Sequence, residues 1–238
     1  MISLTFALIS AAGNLVGAFA VVRGERRSLE VIEAFVAFGA GFMLAVALLE
    51  VTPEAMAQGL DAPLFILLGY LAVHLAQHVF VPHFHFGEET HPISATAGVS
   101  ALLGLLLHTF FDGVAIASGF RVSGQLGLLL FLAVFLHKLP EGVAMASLML
   151  AGGQSRGRAI GSAAALGLAT VLGVLLTQAA APLAQHGLAI SAGVTIYVAA
   201  SNLVPEFQAK PGWPMPLAFF GGAGAFFLTR LLVETGLR

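Results

Sequence analysis

The chain alternates long apolar stretches with short polar or turn-forming breaks. A hydrocarbon core needs about 20 consecutive apolar residues from a helix that crosses it. Eight stretches meet that length, at approximately 2–22, 31–57, 63–82, 93–119, 124–151, 157–181, 187–209 and 214–235. The breaks are rich in Gly, Pro and charge, as in Arg23-Gly24-Glu25-Arg26-Arg27, Gly59-Leu60-Asp61-Ala62-Pro63 and Lys210-Pro211-Gly212-Trp213-Pro214. A further break is expected at Gln185-His186-Gly187. The pattern predicts an all-α membrane protein, with eight transmembrane helices in one bundle. All connections are short, so 1–238 reads as a single domain. The apolar N-terminus has no basic segment before it and reads as a retained first helix.

Composition agrees with this reading. Hydrophobic residues make up 58% of the chain and charged residues 9%, whereas soluble domains carry about 25% charged residues. There is no cysteine, which excludes disulfides, thiolate metal sites and a cysteine nucleophile. Net charge is −2 and no basic patch invites nucleic acid. The cations that do occur set an orientation. Arg23, Arg26, Arg27, Arg156, Arg158 and Lys210 fall in odd-numbered loops, against Arg121, Arg230 and Arg238 opposite. Lys and Arg favour the cytoplasmic side, so both termini are expected outside. The lone Trp213 suits a place at the membrane interface.

Ionisable residues deep in a span are costly and are functional candidates by default. Two near-identical segments concentrate them. Span four carries His108-Thr109-Phe110-Phe111-Asp112-Gly113, and span five carries His137-Lys138-Leu139-Pro140-Glu141-Gly142. In each, a His precedes a carboxylate by four residues, so both share one helix face. Two such helices facing each other bring two imidazoles and two carboxylates to one point. That donor set suits Zn²⁺, and also Fe²⁺ or Mn²⁺. Pro140 has no N–H and frees the carbonyl of Leu136 as a further ligand for ion or water. Gly113 and Gly142 permit close helix approach. A pair of buried polar residues can also serve only to tie helices together, but that reading has to account for two matching pairs at one depth.

The paired motifs resemble those of the ZIP (Zrt/Irt-like) divalent metal transporters, and most nearly the GufA-like branch. The family's fourth span carries His-x-x-x-(Asp/Glu)-Gly and its fifth (His/Gln)-x-x-Pro-Glu-Gly. Eight spans, outward termini, a His-bearing loop after span three and the Asn202-Leu203-Val204-Pro205-Glu206 end of span seven also match. The resemblance implies transport of a divalent transition metal, zinc first, into the cytoplasm. His108, Asp112, His137 and Glu141 would then be ligands of the central transport site. It also implies a multi-pass protein of the inner (plasma) membrane and a homodimer. Many family members hold a second metal, but the positions that would bind it here are Thr109, Lys138 and Thr170. Lys138 would then replace the second ion.

Other positions are weaker candidates. His74, His78, His83, His85 and His91 form a His-rich stretch suited to collecting released metal on the cytoplasmic side. Glu50, Glu54, Asn202 and Glu206 are candidates for lining an entrance or exit. The rival readings are an intramembrane metalloenzyme and a proton-linked solute transporter. The first would show a His-Glu-x-x-His helix or a general base beside an open zinc position, and neither is present. The transported ion is read as Zn²⁺, with Fe²⁺, Mn²⁺ or Cd²⁺ compatible.

Overall fold

The computed structural model describes residues 2–23, 29–80, 95–208 and 211–236. Every element among them is helical, as hydrocarbon requires of a chain that must satisfy its backbone within each segment. Eight helices are long and apolar enough to cross a membrane. They are α1 (Ile2–Val22), α2 (29–58), α3 (Ala62–Phe80), α4 (Ala95–Val122), α5 (Gly124–Ala151), α6 (Arg156–Ala179), α7 (181–208) and α8 (Pro214–Gly236). Large apolar side chains such as Leu64, Leu68, Leu172, Phe220 and Phe227 face outward. That surface would aggregate in water, and the chain is a multi-pass membrane protein.

The ends of the helices follow local chemistry. Ser123 and Ser155 cap α5 and α6 by accepting the backbone N–H of Leu126 and Arg158, which supplies one of the orphaned first-turn donors. One expected boundary moves. The helix α7 begins at Ala181, with Pro182 in its first turn where no N–H is needed. The expected break at Gln185-His186-Gly187 is therefore helical. His186 stacks on Phe65 of α3 at 3.8 Å between ring centroids and lies 3.7 Å from Asp61.

Two spans are not regular α-helix throughout. Residues Ala47–Val51 of α2 and Val198–Leu203 of α7 form π-helical turns. In both, the ladder closes five residues back, from Thr52 N–H to Ala47 O and from Val204 N–H to Ala199 O. Pro53 and Pro205 follow directly. A proline cannot donate and its ring crowds the preceding turn, and an inserted residue relieves that crowding.

Packing divides the bundle into a quartet of α1, α4, α5 and α6, flanked by the pairs α2–α8 and α3–α7. Four reciprocal glycine contacts mark the tightest crossings. A Cβ on Gly17 would strike Leu139 O, and one on Gly142 would strike Asn14 O, so α1 and α5 touch backbone to backbone. Gly113 and Gly173 do the same for α4 and α6, meeting Thr170 O and Phe110 O. Gly41 with Gly222, and Gly69 with Gly193, join the two outer pairs. Without a hydrophobic drive between helices in lipid, such small-residue contacts are how spans associate. The two motif glycines thus dock α5 on α1 and α4 on α6; they do not draw α4 and α5 together. α2 and α7 pack on the quartet through Val46, Val51, Val198 and Ala199, which share a core cluster with Ala115, Leu130 and Ala133.

Candidate metal centre

α4 and α5 run side by side and turn their motif faces to each other. His108, Asp112, His137 and Glu141 each offer one ligand atom, and these atoms all lie within 4.8 Å of one another. All four side chains are buried. The two Nε2 atoms are 3.5 Å apart. Asp112 Oδ2 is 3.2 Å from His108 Nε2 and 3.4 Å from His137 Nε2. Glu141 Oε2 is 3.8 Å from His137 Nε2. A tetrahedral ion with ligands at about 2.0–2.1 Å needs ligand atoms roughly 3.3–3.4 Å apart. The three separations among His108, His137 and Asp112 lie within a few tenths of that edge, and Glu141 stands farther out and would have to move inward to complete the set. The donor types and their closeness are those that could hold a small borderline cation. Ca²⁺, with six to eight oxygen ligands at about 2.3–2.6 Å, does not suit two imidazoles.

The shell around these residues is unequal. His137 Nδ1 is 2.9 Å from Ala133 O, a donation that fixes the tautomer and leaves Nε2 free to ligate. His108 Nδ1 is buried without a partner. Thr109 Oγ1 donates to Glu141 Oε1 at 3.0 Å. The fully buried Lys138 donates to Asp112 Oδ2 at 2.6 Å and to Glu141 Oε2 at 2.9 Å. Its ammonium thus sits on the same two oxygens that the imidazoles approach. Placed at the centre of α5, Lys138 does not reach an interface, and its charge is met by two carboxylates.

The pattern of the family described as "ZIP Zinc transporter" matches residues 83–230. This chain belongs to the ZIP family. The zinc transporter ZupT of Salmonella heidelberg (strain SL476) is 30% identical over 225 residues, which is 86% of each protein. The zinc transporter ZupT of Escherichia coli O7:K1 is 30% identical over 224 residues, again 86% of each. A match to the ZupT of Shigella dysenteriae serotype 1 is 30% identical but spans 48% of each chain. The family is one of transporters, not enzymes, and the metalloenzyme reading falls with that membership.

The other candidates are not drawn into this cluster. Thr170 is fully buried on α6 and donates to Leu166 O at 3.5 Å within its own helix. The Leu136 carbonyl lies beside Gly39 of α2, 3.8 Å from where a Cβ would stand. His74 and His78 are exposed near the end of α3, with ring centroids 4.0 Å apart and His78 Nδ1 2.8 Å from His74 O. His83, His85 and His91 lie outside the described residues, as does the side chain of Glu206. Glu50 is paired with Arg230 of α8 at 3.2 Å. Glu54 is half-buried one turn further on, and Asn202 lies in the π-helical turn of α7. Sequence reasoning missed Ser10 and Asn14 of α1, both fully buried with unpartnered side-chain atoms. The available signal was an amide in the middle of a span whose other polar residues are only Ser and Thr.

Proposed function

We propose that this protein carries a divalent transition metal, zinc foremost, across the membrane into the cytoplasm. The ion is its substrate, and His108, Asp112, His137 and Glu141 are its ligands. The observation that carries the reading is the meeting of two imidazole Nε2 atoms 3.5 Å apart with Asp112 Oδ2 within 3.4 Å of both. Neutral imidazole and ionised carboxylate are the forms that bind. Family membership and the names of the ZupT relatives support zinc. Fe²⁺, Mn²⁺ and Cd²⁺ suit the same donors and are the competitors to test.

Lys138 takes the part of a second cation. Two carboxylates in a buried site need positive charge beside them, and the ammonium supplies it while the site waits for metal. The central site accordingly takes one ion, with Thr109 holding Glu141 in place. The exposed His74–His78 pair, with His83, His85 and His91 following in sequence, is a receiving site on the cytoplasmic side. Glu50, Glu54, Asn202 and Glu206 mark the routes in and out. The distribution of Lys and Arg supports termini on the outside. The protein would work as one domain, 1–238, in the cell's inner membrane, surrounded by lipid and paired as a homodimer.

The test is uptake by proteoliposomes of purified protein, with Zn²⁺ outside and a fluorescent chelator within. Saturable uptake that Cd²⁺, Fe²⁺ or Mn²⁺ competes for, and that His137→Ala abolishes, is expected. Uptake equal to that of empty vesicles would overturn the proposal.

A further inference from the structure

The inference concerns α1, to which the sequence motifs assign nothing, and it rests on the central-site reading above. Three observations meet there. First, Lys138 spends two of its three ammonium donors on Asp112 Oδ2 and Glu141 Oε2. Those are the carboxylate oxygens nearest the two imidazole Nε2 atoms. Second, α1 lies directly on the lysine's turn of α5. A Cβ on Gly13 would stand 3.2 Å from Lys138 Cβ, and Gly142, one turn beyond Lys138, abuts the Asn14 backbone. Third, Asn14 and Ser10 are fully buried, and Asn14 Oδ1, Asn14 Nδ2 and Ser10 Oγ have no hydrogen-bond partner.

Their direction follows from helix geometry. On α1, Gly13 and Gly17 meet α5, and Ala11 meets Gly167 of α6. At 3.6 residues per turn, Ser10 and Asn14 fall on the arc between those two contact lines. They share one face, one turn apart, inside the quartet that holds the metal ligands. A buried amide and hydroxyl left without partners are costly, and they lie within one turn of Gly13, which packs on the stem of Lys138.

We propose that Asn14, with Ser10, is the acceptor site to which the Lys138 ammonium moves when metal binds. In the metal-free protein the lysine neutralises Asp112 and Glu141. The arriving ion displaces it, and the ammonium, still charged, docks on Asn14 Oδ1 and Ser10 Oγ. Release of the ion lets the lysine return and compete for the carboxylates. Asn14 is a positioning residue that acts through Lys138 and does not touch the ion.

The experiment is a double-mutant cycle on detergent-purified full-length protein, with the Zn²⁺ dissociation constant read by calorimetry. The proteins are wild type, Asn14→Leu, Lys138→Met and the double variant. Asn14→Leu should weaken Zn²⁺ binding by about tenfold or more, the scale of one hydrogen bond to a charged group. The same substitution in the Lys138→Met protein should cause no further weakening. Equal weakening in both backgrounds would mean that Asn14 only supports packing, and would overturn the proposal. So would no weakening in either. Should Asn14→Leu not fold, Asn14→Asp serves: a carboxylate there captures the lysine and should tighten Zn²⁺ binding, and unchanged affinity refutes the idea. Wild-type protein that binds no Zn²⁺ would instead defeat the central-site reading, which separates the two failures.

Discussion

Replacing Lys138 by Met removes a buried charge and keeps most of the side-chain volume. The ammonium lies 2.6 Å from Asp112 Oδ2. A zinc ion on that oxygen would be about 2.0–2.2 Å from it, which puts the two cations roughly 4 Å apart if the lysine stays. Their repulsion is then about 8 kcal/mol at an effective dielectric of 20, and about 2 kcal/mol at the value of bulk water. Movement of the lysine away from the ion lowers both figures, so the lower one is the safer guide. At about 1.4 kcal/mol per decade it corresponds to more than tenfold in affinity. The metal-free state shifts in the same direction, because without Lys138 the buried Asp112 and Glu141 lose their counter-charge. Lys138→Met should therefore bind Zn²⁺ at least about tenfold more tightly than wild type. It should also transport more slowly at saturation, since release becomes harder. Competition titration against a chromophoric chelator gives the first quantity and proteoliposome uptake the second. Affinity equal to or weaker than wild type would show that the ammonium does not oppose the ion, and the role given to Lys138 would be wrong.

Three further outcomes are expected. Crystals soaked in Zn²⁺ or Cd²⁺ should show one strong anomalous peak at the central site, within about 2.0–2.6 Å of nitrogen or oxygen ligands; two full peaks would contradict the single-ion site. His137→Ala and Glu141→Gln should each abolish uptake while the purified protein keeps its elution profile and helical circular dichroism, and wild-type uptake by either variant would remove that residue from the ligand set. Gly142→Leu should destabilise the protein by about 1–3 kcal/mol or more, the usual cost of overpacking, because the Asn14 backbone occupies the space a Cβ needs; a melting temperature equal to wild type would mean that α1 and α5 are not in backbone contact.

Much of this architecture is legible in the residues. The bilayer imposes a length and an apolar composition on each span, so the eight helices could be read within a few residues of their ends. The four-residue His-to-acid spacing fixed which side chains share a face, and the doubling of the motif on consecutive spans indicated which faces meet. What sequence did not yield has a common cause. The break at 185–187 looked like a loop because Gln, His and Gly cluster there, yet Phe65 and Asp61 across the helix pair take up His186. The motif glycines signalled close approach without naming the partner, because a glycine looks alike whichever helix it admits. Asn14 carried no motif at all; its meaning arises only once Gly13 lies on the stem of Lys138. Contacts between distant segments are set by packing, and periodicity reports only which face is presented.

The same packing gives the charge balance of the site its consequence. Four ligands from two helices would leave two carboxylates facing each other across a low-dielectric gap, a state that burial makes expensive. Here a lysine on the ligand-bearing helix offsets this, one residue after His137 and three before Glu141. The two carboxylates therefore have compensating charge within the chain, and a metal bound as proposed would compete with a tethered cation that dissociation cannot remove. Such competition would weaken binding and so favour release, because an ion held too tightly is not released. It also requires that the displaced ammonium have somewhere to go within reach of its own stem. Along α5 its neighbours are His137 and Glu141, and on α4 stands Asp112, all of which the ion would take on the proposed reading. The helix packed on the stem of Lys138 is α1, where Ser10 and Asn14 are buried polar groups without partners. On the proposed reading, a one-ion site and a polar α1 would be two sides of one arrangement. Removing Lys138 should make Asn14 dispensable for metal affinity, whereas removing Asn14 should not make Lys138 so.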